Sequence, residues 1–239
     1  MSTPSSSSTD LDQLPPAMPL PLLIGMLLAV ALGAFAAAIV LPNWLPGLSQ
    51  SLLGAEPKAY WYLSRASALV AYALLWLSMA TGLIITNKLA RVWPGGPTAF
   101  DLHQFASLLG LAFALFHALI LMGDKYINYN LAQVLVPFNS TGYKPILVGF
   151  GQIGFYLCAI VGLSFYVRKR LGHRRWRLLH FLSFLMFAMA LAHGLFAGTD
   201  ATVEAVQMFY WATGVTLVFL TIYRILATKF APKKPVRAA

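Results

Sequence analysis

The chain has 239 residues, 59% of them hydrophobic and only 10% charged, with a formal net charge of +10. Charged residues make up about a quarter of a soluble domain, so the composition excludes a soluble globular protein. The apolar runs are continuous over about 20 residues and do not alternate, which excludes a membrane barrel and defines an all-α integral membrane protein bathed in lipid. The basic residues lie beside those runs, as membrane topology demands, so the positive charge does not argue for nucleic acid as a partner.

Residues 1–19, "MSTPSSSSTDLDQLPPAMP", are Ser/Pro-rich and predict a disordered tail. They hold no Lys or Arg, so the basic n-region of a secretory signal is missing. Six spans follow within residues 20–227: Leu20–Leu41, Trp61–Ile85, Leu102–Gly123, Ile146–Val167, Trp176–Gly198 and Ala205–Ala227. "VWPGGP" marks a turn ahead of the third span. Thr98 and Asp101 in "TAFD" stand at capping-box spacing and predict a helix start near Thr98. The segment from Asp124 to Lys144 is long enough to cover part of one face of the bundle. Residues 228–239 form a basic tail. The single cysteine, Cys158, lies in an apolar run; it excludes an intrachain disulfide and reads as a small buried side chain.

Orientation follows from Lys and Arg. Lys88 and Arg91 lie in one loop, Arg168, Lys169, Arg170, Arg174, Arg175 and Arg177 in another, and Arg224, Lys229, Lys233, Lys234 and Arg237 at the C-terminal end. The opposite side has only Lys58, Arg65, Lys125 and Lys144. This asymmetry predicts both termini in the cytoplasm, in a bacterial-type inner membrane or a plasma membrane. Spans three and five then run in the same direction.

Four of the five histidines fall inside spans. His103 and His117 are on the third, His180 and His193 on the fifth; His173 sits in a basic loop and reads as solvated. Parallel helices place His103 and His180 toward the cytoplasmic side and His117 and His193 toward the outer side. A single intramembrane histidine more often bonds a neighbouring helix than a metal. Two depth-matched pairs point instead to axial ligation of two iron porphyrins, which would satisfy each ring nitrogen and fill the space between the helices. The spacing of 14 on span three brings its two rings to nearly one direction, about 21 Å apart along the axis. The spacing of 13 on span five leaves His193 rotated from His180, so tilt, rotamer or local winding must make up the difference. No Cys/His cluster has the spacing of a tetrahedral zinc site.

Haem propionates want cations at the membrane faces. Arg174, Arg175 and Arg177 precede His180 on the inner side, near Lys88 and Arg91. On the outer side stands Arg65, flanked by apolar residues in "LSRASALVAYALLWL". Two readings of Arg65 stay open, a propionate contact or simple snorkelling to the interface. Phe113, Phe116, Phe184, Met186 and Phe187 lie between the two depths, either against porphyrin faces or as helix-packing material.

"RASALVAYALLWLSMATGL" (65–83), "HQFASLLGLAFALFH" (103–117) and "LGHRRWRLLHFLSFLMFAMALAH" (171–193) together resemble the ferric reductase-like transmembrane family over about residues 60–227. That family includes the membrane cores of NADPH oxidases and ferric reductases, and the haem-binding membrane subunit of a bacterial methionine sulfoxide reductase system. The resemblance implies a six-helix bundle holding two stacked b-type haems, the inner on His103 and His180, the outer on His117 and His193. It implies outward electron flow and places Arg65 by the outer haem. The sulfoxide reductase subunit lacks a histidine at the position of His103, so the two-haem members are the nearer likeness. The resemblance departs at the C-terminus. Only "TKFAPKKPVRAA" follows the last span and no GxGxxG-type loop appears, so the expected electron donor is a separate flavoprotein or iron–sulfur protein, or quinol, with an outer-side acceptor.

These residues read as a di-haem b-type cytochrome subunit of an oxidoreductase, with no catalytic acid, base or nucleophile of its own. The alternatives are a single-haem quinol-linked subunit, a non-redox accessory subunit of a membrane complex and, weakest for want of an acidic residue within the spans, a transporter.

Overall fold

A computed structural model describes residues 15–53 and 58–230. Among them lie six helices long and apolar enough to cross a membrane: α1 (Leu20–Trp44), α2 (Lys58–Thr86), α3 (Gly96–Gly123), α4 (Pro145–Leu171), α5 (His173–Ala197) and α6 (Glu204–Lys229). They coincide with the six predicted spans and extend most of them by a turn or less.

Local chemistry accounts for several boundaries. Pro42 has no N–H to continue the ladder, and its ring crowds the preceding turn. The preceding residues, Ala36–Val40, widen into a π-helical turn, and Tyr60 donates its hydroxyl proton to the Ala37 carbonyl at 2.7 Å. α3 begins at Gly96, two residues before the predicted start. Gly95 occupies the N-cap at φ +104°, where glycine is favoured, and Pro97 lies in the first turn. The Thr98–Asp101 capping box does not form, because both residues are already inside the helix. A reciprocal box forms elsewhere, between Asn130 and Gln133, and starts the short helix Leu131–Leu135 inside the 124–144 segment.

The most extensive packing joins α2 to α3, followed by α4 to α5. These two hairpins face each other; α1 packs on α3, and α6 packs on α2 and α5. α3 and α5 make almost no direct contact. Tyr72, Leu75, Met79 and Leu83 of α2 form the buried centre with Leu111, Cys158, Met186, Phe187, Tyr210 and Leu217. Leu32 of α1 and Val215 and Phe219 of α6 turn outward, more than 60% exposed, as helices facing hydrocarbon do.

Both ends are laced by polar bonds. At the end that gathers the basic residues, Gln104 accepts from the Ala17 N–H, Tyr166 donates to the Met18 carbonyl, and Asn87 to that of Leu220. At the opposite end Tyr143 and Lys144 donate to the carbonyls of Ala197 and Phe196. There the 124–144 segment covers the bundle as expected: Tyr129 and Val134 bury against Ala34 and Leu119. Of the predicted N-terminal tail, 1–14 lie outside the described residues; of the basic C-terminal tail, 231–239 do.

Candidate cofactor site

The four intramembrane histidines meet in two pairs. The rings of His103 and His180 are 6.0 Å apart between centroids, inclined at 64°. Those of His117 and His193 are 6.2 Å apart at 68°. The first pair lies toward the basic end and the second toward the opposite end, and this order makes α3 and α5 co-directional. A metal–nitrogen bond is about 2.0 Å and the ring nitrogen lies about 1.2 Å from its centroid, so two imidazoles on opposite sides of one metal stand up to about 6.4 Å apart. Both pairs lie just inside that separation.

The Nδ1 atoms say which nitrogen is free. His103 Nδ1 lies 2.8 Å from the Ser78 carbonyl, His117 Nδ1 2.8 Å from that of Ser64, and His193 Nδ1 2.8 Å from that of Leu147. A carbonyl can only accept, so Nδ1 carries the proton in each case. In the neutral ring Nε2 is then left with a lone pair. This is the outer bonding pattern that metal-bound histidines have. Among the described residues His180 has no such partner. Its ring rests on Trp176 one turn earlier, centroid to centroid 5.2 Å.

The awkward spacing of 13 on α5 is resolved by these anchors. At about 100° per residue, 13 residues leave His193 about 140° away from His180. His193 leans toward α4 and bonds Leu147, whereas His180 is held by Trp176 of its own helix. Room for that lean comes from Gly151, where an added Cβ would stand 2.8 Å from His193 Nδ1. Gly82 likewise admits His103, with 3.2 Å from an added Cβ to the ring Cε1. The pairs span the gap between α3 and α5, two helices that scarcely touch, while α2 and α4 close its sides.

A cavity adjoins the second pair, lined by His117, His193, Arg65, Trp61 and Tyr143, and reaching down to Leu75 and Cys158. Arg65 lines this cavity with the pair far from the basic end. Its guanidinium is also engaged: Nε donates to Asp200 Oδ2 at 2.6 Å, and the two groups form an ion pair. Arg174, Arg175 and Arg177 are exposed in the first two turns of α5, ahead of His180. Of the residues expected between the two depths, Met186 and Phe187 are buried in the core, whereas Phe184 faces outward, 38% exposed.

Sequence reasoning missed Ser64, Ser78, Leu147 and Asp200. Backbone acceptors leave no mark on composition, but one signal was present. "SRASAL" (64–69) and "SMATGL" (78–83) are a repeat, S-x-A-[S/T]-x-L, offset by 14 residues. The offset equals that of His103 and His117. Because α2 and α3 run antiparallel, Ser78 meets His103 and Ser64 meets His117. Asp200 was legible as an acidic residue just beyond the span that ends near Arg65.

Among the described residues no three His, Cys, Asp or Glu side chains come together as a metal cluster; these histidines meet in twos. Comparison with protein-family models, with curated proteins and with solved structures finds no match for this chain.

Proposed function

We propose that this chain is a di-haem b-type cytochrome subunit of the ferric reductase-like kind, carrying electrons across a membrane from a cytoplasmic donor to an outer-side acceptor. One observation carries the reading: two histidine pairs, each near the separation of a shared metal, bridge a gap between helices that hardly touch, and three of the four rings keep Nε2 unprotonated. His103 and His180 hold the inner haem, His117 and His193 the outer. When bound, haem b supplies reversible one-electron chemistry at iron.

The protein's own groups do the rest. The carbonyls of Ser78, Ser64 and Leu147 fix three imidazoles in orientation and tautomer. Tyr72, Leu75, Met186 and Phe187 pack the level between the pairs and keep water out. Arg65 serves the outer propionates while sharing its charge with Asp200. Arg174, Arg175 and Arg177 anchor the inner face and meet the inner propionates or an acidic donor. Buried N–H groups of Gln104 and Trp176 at that end have no partner among the described residues. A buried donor without an acceptor costs about 1–3 kcal/mol, and a carboxylate there would relieve it. The cluster of exposed cations at the basic end suits an acidic flavoprotein or iron–sulfur protein; quinol is the alternative donor.

A reduced-minus-oxidised spectrum with pyridine haemochrome quantitation on purified protein tests the proposal. Two haems b per chain are expected, and none would overturn it. A one-haem reading has a specific foothold in His180, whose Nδ1 has no carbonyl partner. A stoichiometry of one, abolished by His193→Ala and unaffected by His180→Ala, would establish that version.

A further inference from the structure

Each α3 histidine shares its carbonyl with a hydroxyl. The Ser64 carbonyl accepts His117 Nδ1–H at 2.8 Å and Ser67 Oγ–H at 3.0 Å. The Ser78 carbonyl accepts His103 Nδ1–H at 2.8 Å and Thr81 Oγ1–H at 2.9 Å. Ser67 and Thr81 occupy the same place in the 14-residue repeat of α2, so one device appears twice, once at each depth. Both hydroxyls also reach the carbonyl one residue further back, Leu63 and Leu77, at 2.7 Å. The α5 ligands have no counterpart. His193 bonds the Leu147 carbonyl, and the residue three further on is Phe150, which has no hydroxyl.

We infer that Ser67 and Thr81 are positioning residues that set the donor strength of the outer and inner α3 ligands by competing for the carbonyls that hold them. The inference rests on the two-pair haem reading above. An Nδ1–H bonded to a strong acceptor pushes electron density into the ring and makes Nε2 a better donor to iron. A carbonyl oxygen has two lone pairs. In a helix interior one already receives the ladder N–H, so imidazole and hydroxyl contend for what remains. The hydroxyl draws density from the oxygen and weakens its grip on Nδ1–H. Removing it strengthens that grip, makes the imidazole more electron-rich and favours the oxidised iron. The effect is local to one depth, because each hydroxyl reaches only one carbonyl that holds a histidine, and each such carbonyl holds one ligand.

The test is a spectroscopically monitored redox titration of the purified full chain with both haems bound. Ser67→Ala is expected to lower the midpoint potential of the outer haem by an amount equal to about a threefold change in its reduction equilibrium, about 28 mV for one electron, with the inner haem unmoved. Thr81→Val should do the reverse, lowering the inner and sparing the outer. Ser67→Thr and Thr81→Ser keep the hydroxyl and should stay at the wild-type values. Ser67→Cys, a weak donor, should fall between serine and alanine and covers the case in which alanine loosens the helix. Equal movement of both haems, no movement of either, or a Ser67→Thr variant that behaves like alanine would each overturn the inference. Absence of haem from the wild-type chain would instead overturn the proposed function, so the two failures are distinguishable.

Discussion

Arg65 near the start of α2 and Asp200 beyond the end of α5 form an ion pair that joins the two hairpins beside the His117–His193 pair. The side chains are 33% and 18% exposed, so neither charge is fully screened by solvent. Asp200→Asn removes the anion and leaves the guanidinium partly buried without its counter-charge. A partly buried pair of this kind contributes about 1 kcal/mol, and loss of one partner should lower the thermal midpoint of the purified protein. The double variant with Arg65→Gln should recover part of that loss in a mutant cycle. If the outer site holds haem, the unmasked cation should also favour its reduced form. Asp200→Asn then raises the outer midpoint potential and leaves the inner one in place.

On the di-haem proposal each histidine pair should be removable alone. His193→Ala deletes one half of the outer pair, so the outer haem should be lost and haem per chain should fall from two to one. His103→Ala should remove the inner haem by the same logic. His173→Ala is the control, since His173 is exposed at the start of α5, and it should leave two haems. Pyridine haemochrome assay and the split of the reduced band read both numbers. Equal loss from His173→Ala and His193→Ala would contradict the assignment.

How much of this was legible in the sequence varies with the kind of interaction. Hydropathy alone gives the six spans, because a bilayer imposes one length on every helix and tolerates few charges. The pairing of His103 with His180 and of His117 with His193 followed from the parallel sense of two spans, itself a consequence of the single span between them; the basic residues add only which end faces the cytoplasm. The Thr98–Asp101 box failed because Gly95 and Pro97 offer an earlier start, and propensity at a helix end is easily outbid. What holds the imidazoles was out of reach for a different reason. The acceptors at Ser64, Ser78 and Leu147 are backbone carbonyls, and any residue supplies one. Which carbonyl is used depends on how α2 and α4 lie against their neighbours. Even there the sequence left a trace in the small residues: Gly82 and Gly151 mark where a ring comes close to a backbone.

The level between the two pairs should be sensitive to one hydrogen bond. Thr213 donates its hydroxyl proton to the Phe209 and Tyr210 carbonyls of its own helix. Tyr72 is therefore the donor in the 2.7 Å contact with Thr213 Oγ1 that ties α2 to α6. The Tyr72 ring is also wedged against Phe187, Phe209 and Tyr210. Tyr72→Phe keeps the ring and deletes the bond, for an expected cost of about 1 kcal/mol. Tyr72→Ala also empties the space and should cost about 3–5 kcal/mol. Thermal unfolding in detergent ranks the two.

Gly151 and Gly82 offer a graded test of how closely the rings are fitted. A methyl at Gly151 would come 2.8 Å from Nδ1 and 2.9 Å from Cγ and Cε1 of His193. Nothing short of moving the ring relieves three contacts of that kind, and moving it breaks the bond to the Leu147 carbonyl as well. On the di-haem proposal Gly151→Ala should therefore behave like His193→Ala in haem count, with the outer haem gone and the inner kept. At Gly82 the nearest approaches are 3.2 Å and 3.3 Å, to Cε1 and Nδ1 of His103, so the ring need yield only a few tenths of an ångström. Gly82→Ala should retain both haems and alter only the inner one, as a shift in its reduced absorption band and midpoint potential. The two variants make the same chemical change on helices that flank the same gap. Equal haem loss from both would mean that the rings are not held in the places the contacts give them.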